Sequence, residues 1–345
     1  MKNPAVTVIV PLFNAEKFVA DCLTSMLNQT LQDFEIIVAD DCSTDSSLAV
    51  VQNFLSEFGN RLRILTLSKN SGRPGIPRNF ALEAARGKYV FFLDSDDLLS
   101  ETALEDLFNV AEKFKTDVVH CEKCIAFADE GGQLQAEVKS NQTGEFVTEP
   151  TLETFDIGRR VTDFTRKRYM WQVWGKLFRR QFLVDNKIKF PAVLTFEDFV
   201  FAFECLVAAK NYVRVPFVNY HYRVRGDSLS HKACDAVKIS VTMIKVVDAL
   251  NEFMDGRKFF RENYASRYEL LDFFIQERLK IIAENFFVTS DLSPAEVFEF
   301  FRKEIFSADP KKNVALTSYL FVAANIFKLN STRQTSASDT REVSN

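Results

Sequence analysis

The first 130 residues alternate between short, almost continuously apolar runs and longer segments in which apolar residues recur every three or four positions. A short apolar run predicts a buried strand, and the wider spacing predicts a helix with one buried face. On this basis, strands are predicted over AVTVIVPLF, FEIIVAD, RLRILTL, KYVFFLD and DVVHCEKCIAF. Helices are predicted over NAEKFVADCLTSMLNQ, STDSSLAVVQNFLSEFG, RNFALEAARG and SETALEDLFNVAEKF. This alternation favours an α/β fold with a mostly parallel sheet sandwiched by helices.

Residues that commonly start or stop helices lie at the ends of these segments. Asn14 and Ser100 are predicted N-caps of the first and fourth helices, because their side-chain oxygens can accept a bond from a free backbone N–H group. Gly59 and Gly87 are predicted to end the second and third helices.

After residue 130 the pattern is less regular. Residues 131–165 are predicted to be loops with short pieces of structure, followed by a helix over MWQVWGKLFRRQFLVDN and another over TFEDFVFAFECLVAAKN that starts near Asp198. YVRVPFVNYHYRVR predicts a strand pair or one long strand. Residues 233–329 have a helical pattern, and the polar end NSTRQTSASDTREVSN is predicted to be disordered. We therefore predict three parts: an α/β domain over 1–230, a helical region over 231–330 and a disordered tail over 331–345.

Four of the predicted strands end in polar loops, at residues 11–14, 40–45, 69–78 and 94–97. Ligands bind at the carboxyl ends of the strands in open α/β sheets. We therefore expect the four loops to converge on one crevice.

The last of these loops is unusual, because an apolar strand ends in Asp94, Asp96 and Asp97. Neighbouring carboxylates repel one another and are costly to desolvate unless a positive charge joins them. A divalent cation, Mg²⁺ or Mn²⁺, prefers hard oxygen ligands and would supply that charge. The structural alternative is a helix cap made by Asp97 or Ser100, with the other carboxylates solvated.

Composition and charge narrow the class of protein. Of the 345 residues, 47% are hydrophobic and 26% are charged, which is an ordinary globular balance. The net charge of −4 disfavours a general nucleic-acid binder. The first apolar run is short and ends near Pro11, so it is not a signal peptide, and no apolar window is long enough to span a membrane. Six cysteines without a secretory signal indicate reduced thiols and a cytoplasmic location.

Two nucleotide-binding motifs are excluded by their missing residues. The loop after the first strand, PLFNAE, has no glycine, so it cannot hold a pyrophosphate in the dinucleotide manner. NSGRPGIPRN lacks the Lys-Ser/Thr of a P-loop. An apolar strand followed by Asp-x-Asp also occurs in haloacid-dehalogenase-like phosphatases. That alternative is weaker, because three strands precede this one and Leu98 occupies the position where a Thr or Val is usual.

The segments VIVPLFNAEKFVADCLTSMLNQTLQDFEIIVADDCSTDSS and GKYVFFLDSDDLL resemble the family 2 glycosyltransferases of the GT-A fold. The resemblance covers roughly residues 5–230, with NQT, DDCSTD, LDSDD and FEDF in the family's order. The loops NSGRPGIPRN and RVRGDSLS are similar to loops of bacterial members that decorate wall or surface polysaccharides, including wall teichoic acid glycosyltransferases. The resemblance implies a nucleotide-binding half over 1–130 and an acceptor half over 131–230.

The resemblance also implies roles for the donor-site residues. Asp96 would contact the metal, Mn²⁺ or Mg²⁺, and Asp94 would assist through the metal or the ribose hydroxyls. Asp41 corresponds to the position that accepts a hydrogen bond from the uracil ring. The other positions implied in donor binding are Pro11 beside the base, and Arg78 and Arg225 at the diphosphate.

On the acceptor side, Asp198 corresponds to the family's general base, and Glu197 would touch the acceptor. Plain helix capping is the structural alternative for Asp198. Trp171 and Trp174 could stack on a sugar ring, but core packing is the favoured interpretation.

The implied activity is an inverting, metal-dependent transfer of a sugar from a nucleotide-diphosphate donor, most simply a UDP-sugar, to a hydroxyl of a surface glycan or lipid-linked precursor. A catalytically inactive nucleotide-sugar-binding protein is the non-enzyme alternative. A lipid-linked acceptor would place the protein in the cytoplasm at the inner face of the membrane. VALTSYLFVAANIFKL is compatible with a core helix, a homo-oligomer contact or peripheral membrane association, and core or partner contact is favoured.

Overall fold

The computed structural model describes residues 3–130, 133–225 and 236–289. The strands are β1 (Val6–Leu12), β2 (Phe34–Asp40), β3 (Leu62–Thr66), β4 (Tyr89–Phe92), β5 (Leu98–Leu99), β6 (Val118–Cys121), β7 (Lys123–Glu130), β8 (Gln133–Ser140), β9 (Thr151–Leu152), β10 (Lys176–Arg179), β11 (Tyr212–Val215) and β12 (Tyr220–Arg223). The α-helices are α1 (Val19–Leu27), α2 (Ser47–Asn53), α3 (Leu55–Phe58), α4 (Gly75–Ala84), α5 (Ala103–Phe114), α6 (Ile157–Thr165), α7 (Arg180–Asp185), α8 (Glu197–Ala208), α9 (Ala236–Asp255), α10 (Lys258–Glu262) and α11 (Tyr264–Thr289).

A central sheet of eight strands has the order β3-β2-β1-β4-β10-β6-β11-β9. Strands β1, β2, β3 and β4 pair in parallel, as predicted, and β2 is buried along its whole length. Continuous apolar runs are expected here, because helices cover both faces of a parallel sheet. A second sheet has the order β5-β12-β7-β8.

The predicted helix over MWQVWGKLFRRQFLVDN is wrong. This segment contains β10 and only the short helix α7, and β10 pairs antiparallel with both β4 and β6. Gly175 lies in the left-handed region (φ 68°) and turns the chain into the strand. Leu177 and Phe178 are then fully buried between the two neighbouring strands. The apolar spacing fits a helix or a strand here, and the sheet position decided the outcome.

Several predicted boundaries also differ. DVVHCEKCIAF divides at Glu122 into β6 and β7, which belong to different sheets. The second predicted helix breaks at Phe54 into α2 and α3. The predicted loop region over 131–165 contains the eight-residue strand β8 and helix α6.

The two predicted N-caps are wrong. Helix α1 begins at Val19, and Asn14 instead lies in a left-handed turn (φ 49°) where its Oδ1 accepts from the Thr44 backbone N–H at 2.8 Å. Helix α5 begins after Thr102, while Ser100 Oγ lies 2.9 Å from His221 Nε2. Both polar side chains make tertiary contacts instead of local capping bonds.

The described residues fall into two compact units. The first comprises Met1–His231 and Arg257–Leu270, and it contains both sheets. The second comprises Lys232–Gly256 and Leu271–Asn345. The predicted helical pattern after residue 233 is confirmed for α9, α10 and α11. The remaining part of that pattern, including VALTSYLFVAANIFKL and the predicted tail, lies outside the described residues. Among the helices described, none is both long and apolar enough to cross a membrane.

Gly87, just before β4, lies in close contact with Thr7 on β1. A Cβ atom there would lie 2.4 Å from the Thr7 backbone nitrogen and 2.7 Å from Thr7 Oγ1. The Gly87 N–H donates to Thr7 Oγ1 at 2.8 Å, and this hydroxyl in turn donates to the buried Glu35 carboxylate at 2.8 Å. The close approach therefore involves backbone atoms that cannot move without disturbing the sheet.

We expect Gly87→Ala to lower the free energy of unfolding by about 2 kcal/mol or more, because the extra methyl overpacks a rigid contact. Urea unfolding followed by circular dichroism measures the change. Gly256→Ala is the control, since a Cβ there would lie 3.4 Å from its nearest neighbour, the Phe253 carbonyl oxygen. Equal stability of the two variants would contradict the interpretation.

Candidate active site

The four loops at the carboxyl ends of β1 to β4 meet in one crevice, as predicted. The loop after β1 contacts the loop after β2 through Asn14 and Thr44. The loop after β2 contacts the next through Asp41 and Ser71. Helix α4 reaches the loop after β4 through Arg78, whose guanidinium lies 2.8 Å from Asp94 Oδ1.

Asp41 is held rigidly at the end of β2. Its two carboxylate oxygens accept from the Ser71 N–H and O–H groups, each at 2.8 Å, and its backbone carbonyl accepts from Asn70 at 3.0 Å. Pro11 lies half-buried on the neighbouring strand β1, opposite Ala39. Ser71 was not predicted, because a serine in a glycine-rich loop carries no sign of the carboxylate it will meet.

Arg78 is the central cation of the crevice. It lies on α4 with only 3% of its surface exposed. One guanidinium nitrogen, Nη2, donates to Asp94 Oδ1 at 2.8 Å. The other, Nη1, donates to Asp198 Oδ1 at 2.9 Å and to Glu197 Oε1 at 3.1 Å. Burial works against the charged guanidinium, but the carboxylates of Asp198, Asp94 and Glu197 outweigh it and raise the pKa of Arg78. A single rigid fork therefore joins the loop after β4 to the first turn of α8.

The packing of α4 sets the position of Glu197 and Asp198. A Cβ at Gly75 would lie 2.9 Å from Phe190 Cβ and 3.2 Å from Glu197 Cγ, so a larger residue would push α8 away. Asn79 binds the backbone of Phe190 twice, donating to its carbonyl at 2.8 Å and accepting from its N–H at 3.0 Å. The segment before α8 is thereby fastened to α4.

Asp198 is not the cap of its helix. Phe196 precedes the helix in a left-handed conformation (φ 68°), and Asp198 is the second residue of α8. Its Oδ2 accepts from the backbone N–H of Val173, at 3.4 Å, on a different segment. The capping alternative therefore fails, and the carboxylate is directed by tertiary contacts.

The electrostatics of this pair favour retained protons. Burial raises the pKa of Asp198, and Arg78 partly offsets that increase. Burial and the adjacent Asp198 carboxylate raise the pKa of Glu197 to about 8, against the opposing effect of Arg78. One guanidinium thus faces three acidic side chains, so it cannot compensate all of them when they are ionised.

Asp97 has a structural role in the loop after β4. It is buried, accepts from the Tyr220 hydroxyl at 2.6 Å and from the Arg223 N–H at 2.7 Å. The Tyr220 oxygen also accepts from the Asp94 N–H at 3.3 Å. Asp97 therefore fixes the loop that presents Asp94 and Asp96.

Asp94 and Asp96 have the chemistry of a divalent metal site. Their side chains are 27% and 20% exposed, so a ligand in the crevice can reach them. Burial and the Asp94 charge raise the pKa of Asp96, which marks a local excess of negative charge. Within the described residues, no group of three His, Cys, Asp or Glu side chains is placed to form a complete metal cage. A bound Mn²⁺ or Mg²⁺ would therefore need further oxygen ligands, such as phosphate.

Two arginines border the crevice near the end of β12. Arg225 Nη2 lies 2.9 Å from Asp96 Oδ2, and its guanidinium is 4.7 Å from the centre of the Phe18 ring. Arg223, which was not predicted, donates to the Asp96 carbonyl at 2.9 Å and to Asp21 at 3.0 Å. The following residues of RVRGDSLS lie outside the described residues.

The favoured core-packing interpretation is confirmed for Trp174. Its ring is buried and stacks on Tyr220 with centroids 4.6 Å apart and on Tyr222 at 5.8 Å. Trp171 is half-buried and packs edge-on against Phe199 at 5.4 Å.

We expect Arg78→Met to destabilise the protein by about 3 kcal/mol at pH 8, because it leaves buried carboxylates without their cation. The loss should be smaller at pH 5. A raised carboxyl pKa in the folded state means that folding takes up protons, so stability falls as pH rises from the ordinary carboxyl pKa to the raised one. Urea unfolding at both pH values measures this difference.

Lys189→Met is the control, because the Lys189–Glu83 pair is exposed and its loss should cost less than about 1 kcal/mol. A loss for Arg78→Met that is equal at pH 5 and pH 8 would show that charge compensation is not its role.

Comparison with known proteins gives one family. Residues 7–172 match the sequence profile of Glycosyl transferase family 2. Poly(ribitol-phosphate) beta-N-acetylglucosaminyltransferase TarP of Staphylococcus aureus is 34% identical over 210 residues, which are 60% of this chain and 59% of TarP. Cholesterol galactosyltransferase of Borreliella burgdorferi is 30% identical over 274 residues, which are 75% of this chain and 73% of that protein. The matched segment spans 32% of the poly(ribitol-phosphate) beta-glucosyltransferase of Bacillus spizizenii, 63% of the putative glycosyltransferase EpsH of Bacillus subtilis and 59% of TarP, so this chain covers less than two thirds of the length of these three relatives.

Solved structures confirm the predicted fold class. S. aureus TarS 1–349 in complex with UDP-GlcNAc superposes with a TM-score of 0.59 at 24% identity, over 81% of this chain and 83% of that one. Mannosyltransferase PcManGT from Pyrobaculum calidifontis, in complex with GDP-Man and Mn²⁺, gives 0.51 at 16% identity over 96% and 88%. The mixed α/β sheet flanked by helices, the matched profile and the identity to the Borreliella protein together show that this chain belongs to glycosyl transferase family 2.

Proposed function

We propose that the protein is a metal-dependent, inverting glycosyltransferase that uses a nucleotide-diphosphate sugar, most simply a UDP-sugar. The observation that carries the proposal is the Arg78 guanidinium, which bonds to Asp94 on one side and to Asp198 on the other. A donor-side carboxylate and a candidate base are thus separated by one side chain. Transfer chemistry needs this proximity, because the sugar carbon must meet the acceptor hydroxyl beside the base.

The donor would bind along the ends of β1 to β4. Asp41, oriented by Ser71, would accept a hydrogen bond from the uracil ring, and Pro11 would lie beside the base. Arg78 and Arg225 would meet the diphosphate, since arginine forks match phosphate oxygens. Both arginines are paired with carboxylates in this structure. Binding of the donor would therefore replace a carboxylate partner of each arginine with a phosphate oxygen.

The carboxylates of Asp94 and Asp96 suit a divalent metal. Asp96, with Asp94, would hold Mn²⁺ or Mg²⁺, and the negative excess described above favours a cation there. When bound, such an ion acts as a Lewis acid that neutralises the diphosphate leaving group.

Asp198 would be the general base. In an inverting transfer, a carboxylate opposite the leaving group takes the proton from the acceptor hydroxyl as that oxygen attacks the sugar carbon. The arrangement parallels inverting glycoside hydrolysis, with a hydroxyl in the place of water. A raised pKa suits this role, because it makes the carboxylate a stronger base while Arg78 still favours its charged form. Glu197, next to it and buried, would touch the acceptor.

The acceptor would be a hydroxyl of a surface glycan or a lipid-linked precursor. One relative is named for poly(ribitol-phosphate) and another for cholesterol, so the names of the matched proteins include both a polymer and a lipid. Cytoplasmic location, contact with the inner face of the membrane, and a homo-oligomer through the C-terminal helices stay predictions.

A thermal-shift panel of nucleotide diphosphates and diphospho-sugars, with and without Mn²⁺, tests the donor site. We expect one uridine nucleotide to raise the melting temperature only with metal, by the equivalent of about 2.7 kcal/mol at 100 times its Kd. Asp96→Asn should lose the metal-dependent part. Asp185→Asn is the control, because this exposed aspartate accepts a hydrogen bond from Gln181 in the same helix and belongs to none of the loops at the carboxyl ends of β1 to β4.

No shift with any nucleotide, for a protein that is folded, would refute the proposal. Hydrolysis of simple phosphate monoesters without a nucleotide would support the phosphatase alternative instead.

Asp198→Asn tests the base. We expect kcat for donor turnover to fall by about 10²- to 10⁴-fold, because an amide cannot accept the acceptor's proton. The donor KM should change little, since the donor contacts lie on other residues. Both kcat and the donor KM are measured from the release of the nucleotide diphosphate, which chromatography detects, with the donor identified by the thermal-shift panel. Unchanged turnover in this variant would remove Asp198 from the mechanism, and donor binding without turnover in the unaltered protein would favour a binding protein.

A further inference from the structure

A single peptide group links a buried lysine to the Asp198 carboxylate. The backbone N–H of Val173 donates to Asp198 Oδ2 at 3.4 Å. The carbonyl of the same peptide unit, which belongs to Gln172, accepts from the ammonium group of Lys176. The hydrogen bonds therefore run in one direction, from Lys176 through the Gln172–Val173 peptide to Asp198.

The turn that makes this link is well defined. Gly175, with its φ of 68°, returns the chain so that the side chain of Lys176 reaches back to the carbonyl four residues earlier. The Gly175 carbonyl accepts from the Cys121 N–H at 2.9 Å, which anchors the turn to β6. Val173 is fully buried, so the peptide is shielded from water.

Lys176 is buried with its ammonium group bonded to the Gln172 carbonyl. It is 2% exposed on β10, in the middle of the central sheet. A buried lysine is costly unless it is paired, and replacement by an apolar residue of similar volume is often neutral or stabilising. The burial of the Lys176 ammonium group therefore indicates a role beyond packing.

The groups around Lys176 leave Asp198 as its main anion. Burial lowers the pKa of Lys176 to about 7, and the Asp198 carboxylate is the largest opposing influence, followed by the thiols of Cys121, Cys205 and Cys124. His120 is the register partner of Lys176 on β6, and burial and the charge of Lys176 lower its pKa, which disfavours a second cation there.

Asp198 in turn accepts hydrogen bonds on both of its carboxylate oxygens, from a cation on one and from a backbone amide on the other. Arg78 approaches its Oδ1 from α4, and the Val173 N–H approaches its Oδ2. The negative charges near it are Asp94 and Glu197. Because Arg78 is shared with both of these acids, it cannot serve Asp198 alone.

We propose that Lys176 is a positioning residue for the general base: through the Gln172–Val173 peptide it orients the Asp198 carboxylate and stabilises its ionised form. The inference rests on the proposed role of Asp198. An ammonium bonded to the carbonyl polarises the peptide and strengthens its N–H as a donor to the carboxylate. Asp198 Oδ2 is thereby held by the peptide, while Oδ1 is available to Arg78 or to the proton of the acceptor hydroxyl.

Lys176→Met tests this inference, because it keeps the length of the apolar stem and removes the charge. We expect the acid limb of the kcat profile to move up by about one pH unit, which is about a tenfold lower kcat on that limb. At higher pH, kcat should approach that of the unaltered protein, and the donor KM should stay within about twofold. Lys176→Arg, which keeps a cation, should keep the limb in place.

Lys189→Met is the matched control, since it removes an exposed lysine paired with Glu83 and should leave the profile unchanged. A merely structural role for Lys176 would lower kcat by the same factor at every pH. That result, or identical limbs in the Met and Arg variants, would overturn the inference.

A second measurement needs neither activity nor a Lys176 variant. The side-chain ¹³C resonances of lysine can be titrated by NMR in the unaltered protein and in Asp198→Asn. We expect one lysine to titrate near neutral pH and its pKa to fall further by about one unit in the variant, because the carboxylate favours the ammonium form. An unchanged titration would refute the link. A shifted titration together with absent transferase activity would refute only the proposed function.

Discussion

The site depends on one buried guanidinium that compensates three carboxylates. Arg78 is almost fully buried, yet its charge is retained because Asp94, Glu197 and Asp198 surround it. Removing either side of this arrangement would leave buried charge without a partner, which costs far more than an exposed ion pair contributes. The start of α8 and the loop after β4 are therefore held at a fixed separation. Arg78 cannot compensate all three acids when they are ionised, and the remaining negative charge suits a metal ion.

The surrounding packing fixes the positions of these charged groups relative to one another. Gly75 and Asn79 fasten α4 to the segment before α8, so the guanidinium and the two acids cannot drift apart. On the opposite side, the Gln172–Val173 peptide reaches Asp198 from the turn before β10. The candidate base is thus held by two segments that lie far apart in the chain, which is the preorganisation that catalysis by a single carboxylate requires.

Sequence periodicity predicted the parallel half of the sheet well and the inserted strand badly. Strands β1 and β2 are buried on both faces, so their sequences are almost continuously apolar and favour a strand. The segment that forms β10 has apolar residues at spacings that suit either type of element, and it was predicted as a helix. Its strand form is stabilised only by pairing with β4 and β6, which come from distant parts of the chain. Asn14 failed as a cap for a related reason, because its best hydrogen-bond partner is Thr44, thirty residues away.

The sequence by itself determined the α/β alternation, the acidic loop at residues 94–97 and the acidic start of α8, because these follow from local composition and periodicity. Only the tertiary structure decided which acidic side chains are buried in structural contacts and which are accessible to a ligand. It buried Asp97 against Tyr220 and left Asp94 and Asp96 partly exposed. It also paired Arg78 with Glu197 and Asp198, more than one hundred positions away, and buried Lys176 where the Asp198 carboxylate influences its pKa. The physical reason is that hydrogen-bond partners and burial depend on strand order in the sheet, and local periodicity carries no information about that order.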